Sequence, residues 1–97
     1  MDSHTNVTAE LKTQLKVPKM FAVILYNDDV TTMDFVVDLL VKVFRKNTAD
    51  ASSIMMQVHQ VGKGVAGIYT YDIAVTKKMQ ADRMAAEKGF PLRLAVE

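Results

Sequence analysis

Apolar residues change their spacing several times along this chain, and each change marks an element. Met20-Phe21-Ala22-Val23-Ile24-Leu25-Tyr26 is a β-rich apolar run that stops at Asn27-Asp28-Asp29, which predicts a strand ended by a turn. Phe35, Val36, Leu39, Leu40, Val43 and Phe44 then recur at helical spacing, with Asp38, Lys42 and Arg45 between them. Thr31, three residues before Asp34, gives a capping-box-like start, and the pattern predicts an amphipathic helix through about Lys46. Asn47 or Thr48 caps a second helix, which carries Ile54, Met55, Val58 and His59 and stops at Gly62. Val65 to Tyr69 reads as a short strand, and Thr70 as the cap of a third helix. In that helix Ile73, Val75, Met79 and Met84 form no clean stripe, but Ala74, Ala81 and Ala85 share one face, where small side chains let a helix sit close on a sheet. Gly89 closes it, and Pro91 forbids continuation. Leu92, Leu94 and Val96 alternate with Arg93 and Ala95 as a last strand. The order βααβαβ predicts an α+β sandwich, one small sheet covered by helices.

Residues 1–18 fall outside this pattern. They carry Thr, Asn, Ser and Lys, and Leu11 and Leu15 are an isolated i, i+4 pair, too little apolar surface to offset ordering entropy. A mobile tail over 1–18 and a folded core over 19–97, with Pro18 at the boundary, are expected. With 97 residues and 49% hydrophobic residues, one domain with a modest core is expected. A net charge of +1 argues against a protein whose main work is gripping nucleic acid. The absence of cysteine excludes disulfides and thiolate chemistry. No apolar run reaches membrane-span length and no signal-peptide core opens the chain, so a soluble cytoplasmic protein with no membrane partner is expected.

The chemistry concentrates at Asn27, Asp28 and Asp29. Asn and Asp favour turns because their side chains bond nearby backbone, and composition alone favours that reading. Two observations favour a site as well: the acids continue as Asp34 and Asp38 with no basic residue between Asp28 and Asp38, and the cluster sits where a strand meets a helix. Acceptors held beside apolar walls suit a small cation attached to an apolar group, such as the free amino end of a polypeptide. His59 lacks the nucleophile and the orienting acid of a catalytic triad, and it has no second histidine at metal-ligand spacing. Met33 and Met55 fit either core filling or an adaptable pocket rim. Lys77 and Lys78, with Asp72 before them, read as an exposed helix face or a docking surface.

Taken together, Leu25-Tyr26-Asn27-Asp28-Asp29, Thr31, Met33, Phe35 and Val36, Met55-Met56-Gln57-Val58-His59, Gly62-Lys63, Ala74-Val75-Thr76-Lys77 and Phe90-Pro91-Leu92 closely resemble the ClpS family, adaptors of the bacterial Clp protease for the N-end rule. The resemblance runs from Lys19 to Glu97. It implies three antiparallel strands covered by three helices, in a monomeric adaptor without enzyme activity, cofactor or metal. Asn27, Asp29 and His59 are then expected to hold a substrate α-amino group, with Asp28 beside the first peptide unit. Thr31, Met33, Val36, Met55, Val58 and Leu92 are expected to line the pocket for a first side chain of Leu, Phe, Tyr or Trp, with Met33 disfavouring β-branched residues. Asp72 and Lys77 match positions where the family meets the N-terminal domain of a ClpA-type AAA+ unfoldase. Two departures stand out. The family often has Tyr-Thr-Pro where this chain has Val30-Thr31-Thr32, which removes preorganisation near the helix start. Val75 stands where a glutamate is common, on the expected docking surface.

Two other readings are open on sequence alone. A recruitment domain like that at the C-terminus of the ribosomal stalk protein would need an exposed recruiting helix but no convergence of Asn27, Asp29 and His59. A metal-assisted hydrolase using Asp28, Asp29 and His59 would show metal-dependent stability or turnover.

Overall fold

The computed structural model describes residues 17–97. The expected mobile tail, with the Leu11–Leu15 pair, falls almost wholly outside the described residues. The elements run β1 (Met20–Tyr26), α1 (Met33–Lys42), α2 (Thr48–Val61), β2 (Lys63–Thr70), α3 (Tyr71–Lys88) and β3 (Arg93–Val96). This is the βααβαβ order. The strands form one antiparallel sheet in the order β2-β1-β3. No helix among the described residues is long and apolar enough to cross a membrane.

β1 is the central strand because it is the most continuously apolar one. Val23 and Leu25 on its inner face are fully buried under the helices, beside Leu94 of β3 and Ala66 of β2. α3 lies across the sheet on Ala74, Ala81 and Ala85, each at most 2% exposed, which is the close approach its alanine face predicts. α1 contributes Phe35, Val36, Leu39 and Leu40, and the Phe35 ring meets Phe90 at 4.9 Å. On the open face, Tyr26 donates its hydroxyl to Glu97 Oε2 at 2.6 Å, and the Arg93 guanidinium lies 4.1 Å over the Tyr26 ring. These contacts tie β3 to β1 beyond their backbone pairing.

Three boundaries differ from the sequence reading. β2 is longer at both ends than Val65–Tyr69, because its pairing with β1 extends from Tyr26↔Lys63 to Met20↔Thr70. α1 is capped by Thr32, whose side chain accepts from the Phe35 amide at 3.2 Å, and not by Thr31. It also ends at Lys42 instead of about Lys46. Arg45 adopts φ 58°, and the Lys46 amide closes back on the Leu40 carbonyl at 3.1 Å. Val43 and Phe44 keep their apolar spacing and stay buried, but as a turn and not as helix. Periodicity records which residues face the core; it does not record a backbone reversal at a non-glycine residue.

A left-handed conformation costs an L-residue about 1–2 kcal/mol, a strain glycine does not feel. Arg45→Gly should therefore stabilise the domain, by up to about 1 kcal/mol after glycine's greater unfolded-state freedom is subtracted. A rise in the thermal unfolding midpoint checks this.

Candidate functional site

The turn after β1 is built around one carboxylate. Asp28 Oδ1 accepts from the backbone amides of Val30 at 2.8 Å and Thr31 at 2.7 Å, and Oδ2 accepts from the Thr31 hydroxyl at 2.7 Å. Partial burial alone would raise the Asp28 pKa, but the donors from Thr31 and Val30 outweigh it and hold the carboxyl below its ordinary value. Thr31 thus serves the turn, and Thr32 starts α1. A proline at position 32, as the Tyr-Thr-Pro pattern would place it, fixes φ but offers no side-chain acceptor; Thr32 supplies the acceptor instead.

The facing wall comes from α2. Asn47 caps its start by accepting from the Asp50 amide at 2.8 Å. Gly62 ends it at φ 101°, with its own amide bonded to the Val58 carbonyl at 2.9 Å. That left-handed turn presents the Gly62 carbonyl to the Asn27 amide, which donates to it at 2.9 Å. The acidic turn and the end of α2 are thereby tied together. Gly64, the second residue of β2, lets α2 come closer still, since a Cβ there would stand 3.0 Å from the Val58 Cγ2.

Between these walls lies a partly open cavity of about 300 Å³. The turn contributes Asn27, Asp28, Asp29 and Thr31, α1 contributes Met33 and Val36, and α2 contributes Met55, Val58 and His59. Val36 and Val58 are buried and form the floor, Met55 is half-buried, and Met33 is exposed at the rim. Nine of the ten residues expected at the amine or side-chain pocket converge here. The tenth, Leu92, is packed in the core at 7% exposure and is not on the cavity lining. Its place in the strand-entry segment turns it towards the sheet's interior.

The polar groups at the mouth differ in how far they are committed. Asp28 is used by the turn. Asp38 pairs with Lys42 at 3.1 Å, away from the cavity, and Asp34 is not on the lining. The side chains of Asn27, Asp29 and His59 make no hydrogen bond or ion pair with another described residue, and no lysine or arginine lines the cavity. Three acceptor-bearing groups therefore stand at the mouth of an apolar hole, suited to a cation that carries a greasy substituent. Among the described residues, no three acidic, histidine or cysteine side chains converge at metal-holding distance. Of the expected docking pair, Asp72 is exposed in the first turn of α3, whereas the Lys77 ammonium donates to the Val43 carbonyl at 2.7 Å. Sequence reasoning had not identified Thr32 as the cap or the Gly62 carbonyl as the tie. The capping-box spacing pointed to Thr31 alone, and a backbone carbonyl leaves no mark in residue identity.

Comparison with known proteins identifies relatives in sequence and in fold. Residues 16–95 match the family model described as ATP-dependent Clp protease adaptor protein ClpS. The chain is 54% identical over 97 residues to the ATP-dependent Clp protease adapter protein ClpS of Acetivibrio thermocellus, covering 100% of this chain and 98% of that protein. It is 47% identical over 95 residues to the protein of the same description from Helicobacter hepaticus, covering 98% and 96%. A solved structure of Agrobacterium tumefaciens ClpS2 bound to L-phenylalaninamide superposes with a TM-score of 0.80 at 38% identity, over 84% of this chain and 98% of that one.

The Asp28 turn yields a pH-dependent expectation. Asp28→Ala removes the acceptor of three donors and should cost about 0.5–2 kcal/mol at pH 7, as loss of a capping carboxylate does. The folded-state pKa is depressed, so this contribution is complete above the ordinary carboxylate pKa and is lost as pH falls through the lower folded value. Urea unfolding of parent and variant should show a constant gap above about pH 5 that narrows below about pH 4.

Proposed function

The chain belongs to the ClpS family of ATP-dependent Clp protease adaptors, and from that premise we propose that its cavity receives the free α-amino group and bulky apolar first side chain of an N-degron polypeptide, for delivery to a ClpA-type AAA+ unfoldase. The observation that carries this reading is the meeting of Asn27, Asp29 and His59, uncommitted among the described residues, at one mouth above Val36 and Val58. An α-amine has a pKa of about 7.7–8.0 and is mostly ammonium near neutrality. It offers three donors, and an amide oxygen, a carboxylate and a neutral imidazole nitrogen can each accept one, directly or through water. Asp28, committed to its turn, lies beside the first peptide unit and keeps Asn27 and Asp29 in place. The relative bound to L-phenylalaninamide supports the chemistry, since that ligand joins a free α-amine to an aromatic side chain.

Magnitudes require both halves of the site. Charge-assisted hydrogen bonds contribute roughly 1.5–3 kcal/mol each. An aromatic side chain hides ~150–250 Å², or roughly 4–6 kcal/mol at ~25 cal/mol per Å². Association costs of at least ~4 kcal/mol consume most of either contribution taken alone. Selectivity for a free amine and for a bulky first residue then arises together. In this reading Met33, 42% exposed at the rim, restricts branching near the backbone of the first residue. Asp72 and the surrounding face of α3 meet the unfoldase. The protein acts by holding and handing over, with no bond made or broken.

Titration with L-phenylalaninamide and its Nα-acetyl derivative tests the reading. Acetylation removes the charge and most donors, so affinity should fall by roughly ten- to a hundredfold; equal binding of the two compounds refutes the amine site. Met33→Ala should raise relative affinity for peptides beginning with Ile or Val over those beginning with Leu. An unchanged ranking across such a peptide panel removes Met33 from the selection.

A further inference from the structure

The chain has no cysteine, so methionine is its only oxidisable sulfur. Among the described residues Met20, Met33, Met56 and Met79 are exposed. Met20 opens β1, Met56 lies on α2 and Met79 on α3, and none of these three is on the cavity lining. Met33 is the one exposed methionine that lines the cavity, opposite the half-buried Met55 of α2. Met55 and Met84 pack against the hydrophobic core, whereas Met33, the first residue of α1, does not. A change of polarity at Met33 is therefore felt by the cavity and not by the core.

We propose that Met33 is a reversible oxidation site that governs how well the cavity accepts an apolar first side chain; this rests on the amine-site reading above. Hydrogen peroxide reaches an exposed thioether directly. A sulfur lone pair attacks one peroxide oxygen, and the S–O bond forms as the O–O bond breaks. Both peroxide protons end on the departing oxygen, which leaves as water, so sulfur is oxidised by two electrons and peroxide reduced. The sulfoxide is polar and chiral where the thioether was apolar and adaptable. On the rim above Val36 and Val58 it either stays solvated, withdrawing one wall from the ligand, or is desolvated against apolar atoms. No lysine or arginine lines the cavity to pair with the new acceptor. A thiol-dependent methionine sulfoxide reductase regenerates the thioether, the oxygen leaving as water while two thiols become a disulfide. Peroxide then lowers capture of substrates with a bulky apolar first residue, and thiol reductant restores it.

The test titrates the full chain with L-phenylalaninamide before and after dilute hydrogen peroxide, with peptide mass spectrometry locating the sulfoxides. Oxidation at Met33 should weaken affinity roughly five- to thirtyfold. Methionine sulfoxide reductases for both epimers, supplied with dithiothreitol, should restore it. Tm of the treated parent should fall by less than about 2 °C, because the core methionines are shielded. Met33→Leu, compared with itself before and after the same dose, should change in affinity by less than about twofold. Met33→Gln, polar and without sulfur, should show the loss with no peroxide added. Unchanged affinity in a parent oxidised at Met33 overturns the inference, as does an equal peroxide loss in Met33→Leu, which places the damage elsewhere. Met33 left reduced while Met20, Met56 and Met79 are converted overturns it too. An untreated parent that binds no L-phenylalaninamide refutes the amine site and the oxidation site with it. An untreated parent that binds, matched by an oxidised one that binds equally, refutes the oxidation site alone.

Discussion

The Gly62 carbonyl accepts from the Asn27 amide at 2.9 Å, and the cavity depends on that one contact. It joins the end of the central strand to the end of α2, two points far apart in sequence that carry opposite walls of the site. The bond continues the β1–β2 ladder one step past Tyr26↔Lys63, so the cavity inherits the rigidity of the sheet. It also requires Gly62 at φ 101°, where a side chain would be strained. With this tie in place, Val58 packs down on Gly64, and His59 next to it in sequence arrives at the mouth beside Asn27 and Asp29. The apolar floor and the polar rim thus have a common backbone origin.

The acidic cluster divides into separate tasks. Asp28 folds the turn, and Asp38 is matched by Lys42 one helical turn on. Asp29 is left as the one carboxylate at the cavity without a described partner. Charge density alone therefore overstates how many acids serve recognition. The distinction matters because an acid spent on the turn raises the rigidity of the other groups, whereas an uncommitted one is available to a ligand.

Much of this was legible in the residues because the elements are strongly patterned. The apolar run of β1, the helical spacing from Phe35 and the alanine face of α3 each specify one way to be buried, and each is buried that way. Residue pattern alone singled out Asn27, Asp28 and Asp29; the rest of the cavity lining was expected only from the family resemblance. The remainder was hidden for physical reasons. Thr31 and Thr32 compete for one cap, and the choice is made by Asp28, whose side chain takes the first of them. Val43 and Phe44 keep helical spacing while the backbone leaves the helix, because burial and helicity are separate properties. Leu92 shows the converse, an apolar residue next to the site in motif but given over to the core. Lys77 meets a backbone carbonyl in a distant turn, and no periodicity connects an ammonium to an oxygen that every residue possesses.

The sheet order leaves β2 at an edge, with Val65 and Ile68 exposed on it. A flat eight-residue edge of that kind would invite strand addition from other chains. The pairing with β1 slips between Val23 and Ile24, so that Ala66 has no partner across the ladder. The bulge kinks and twists β2 in its middle, and its unpaired amides and carbonyls no longer form an even row. An uneven row of that kind is a poor template for strand addition by another chain.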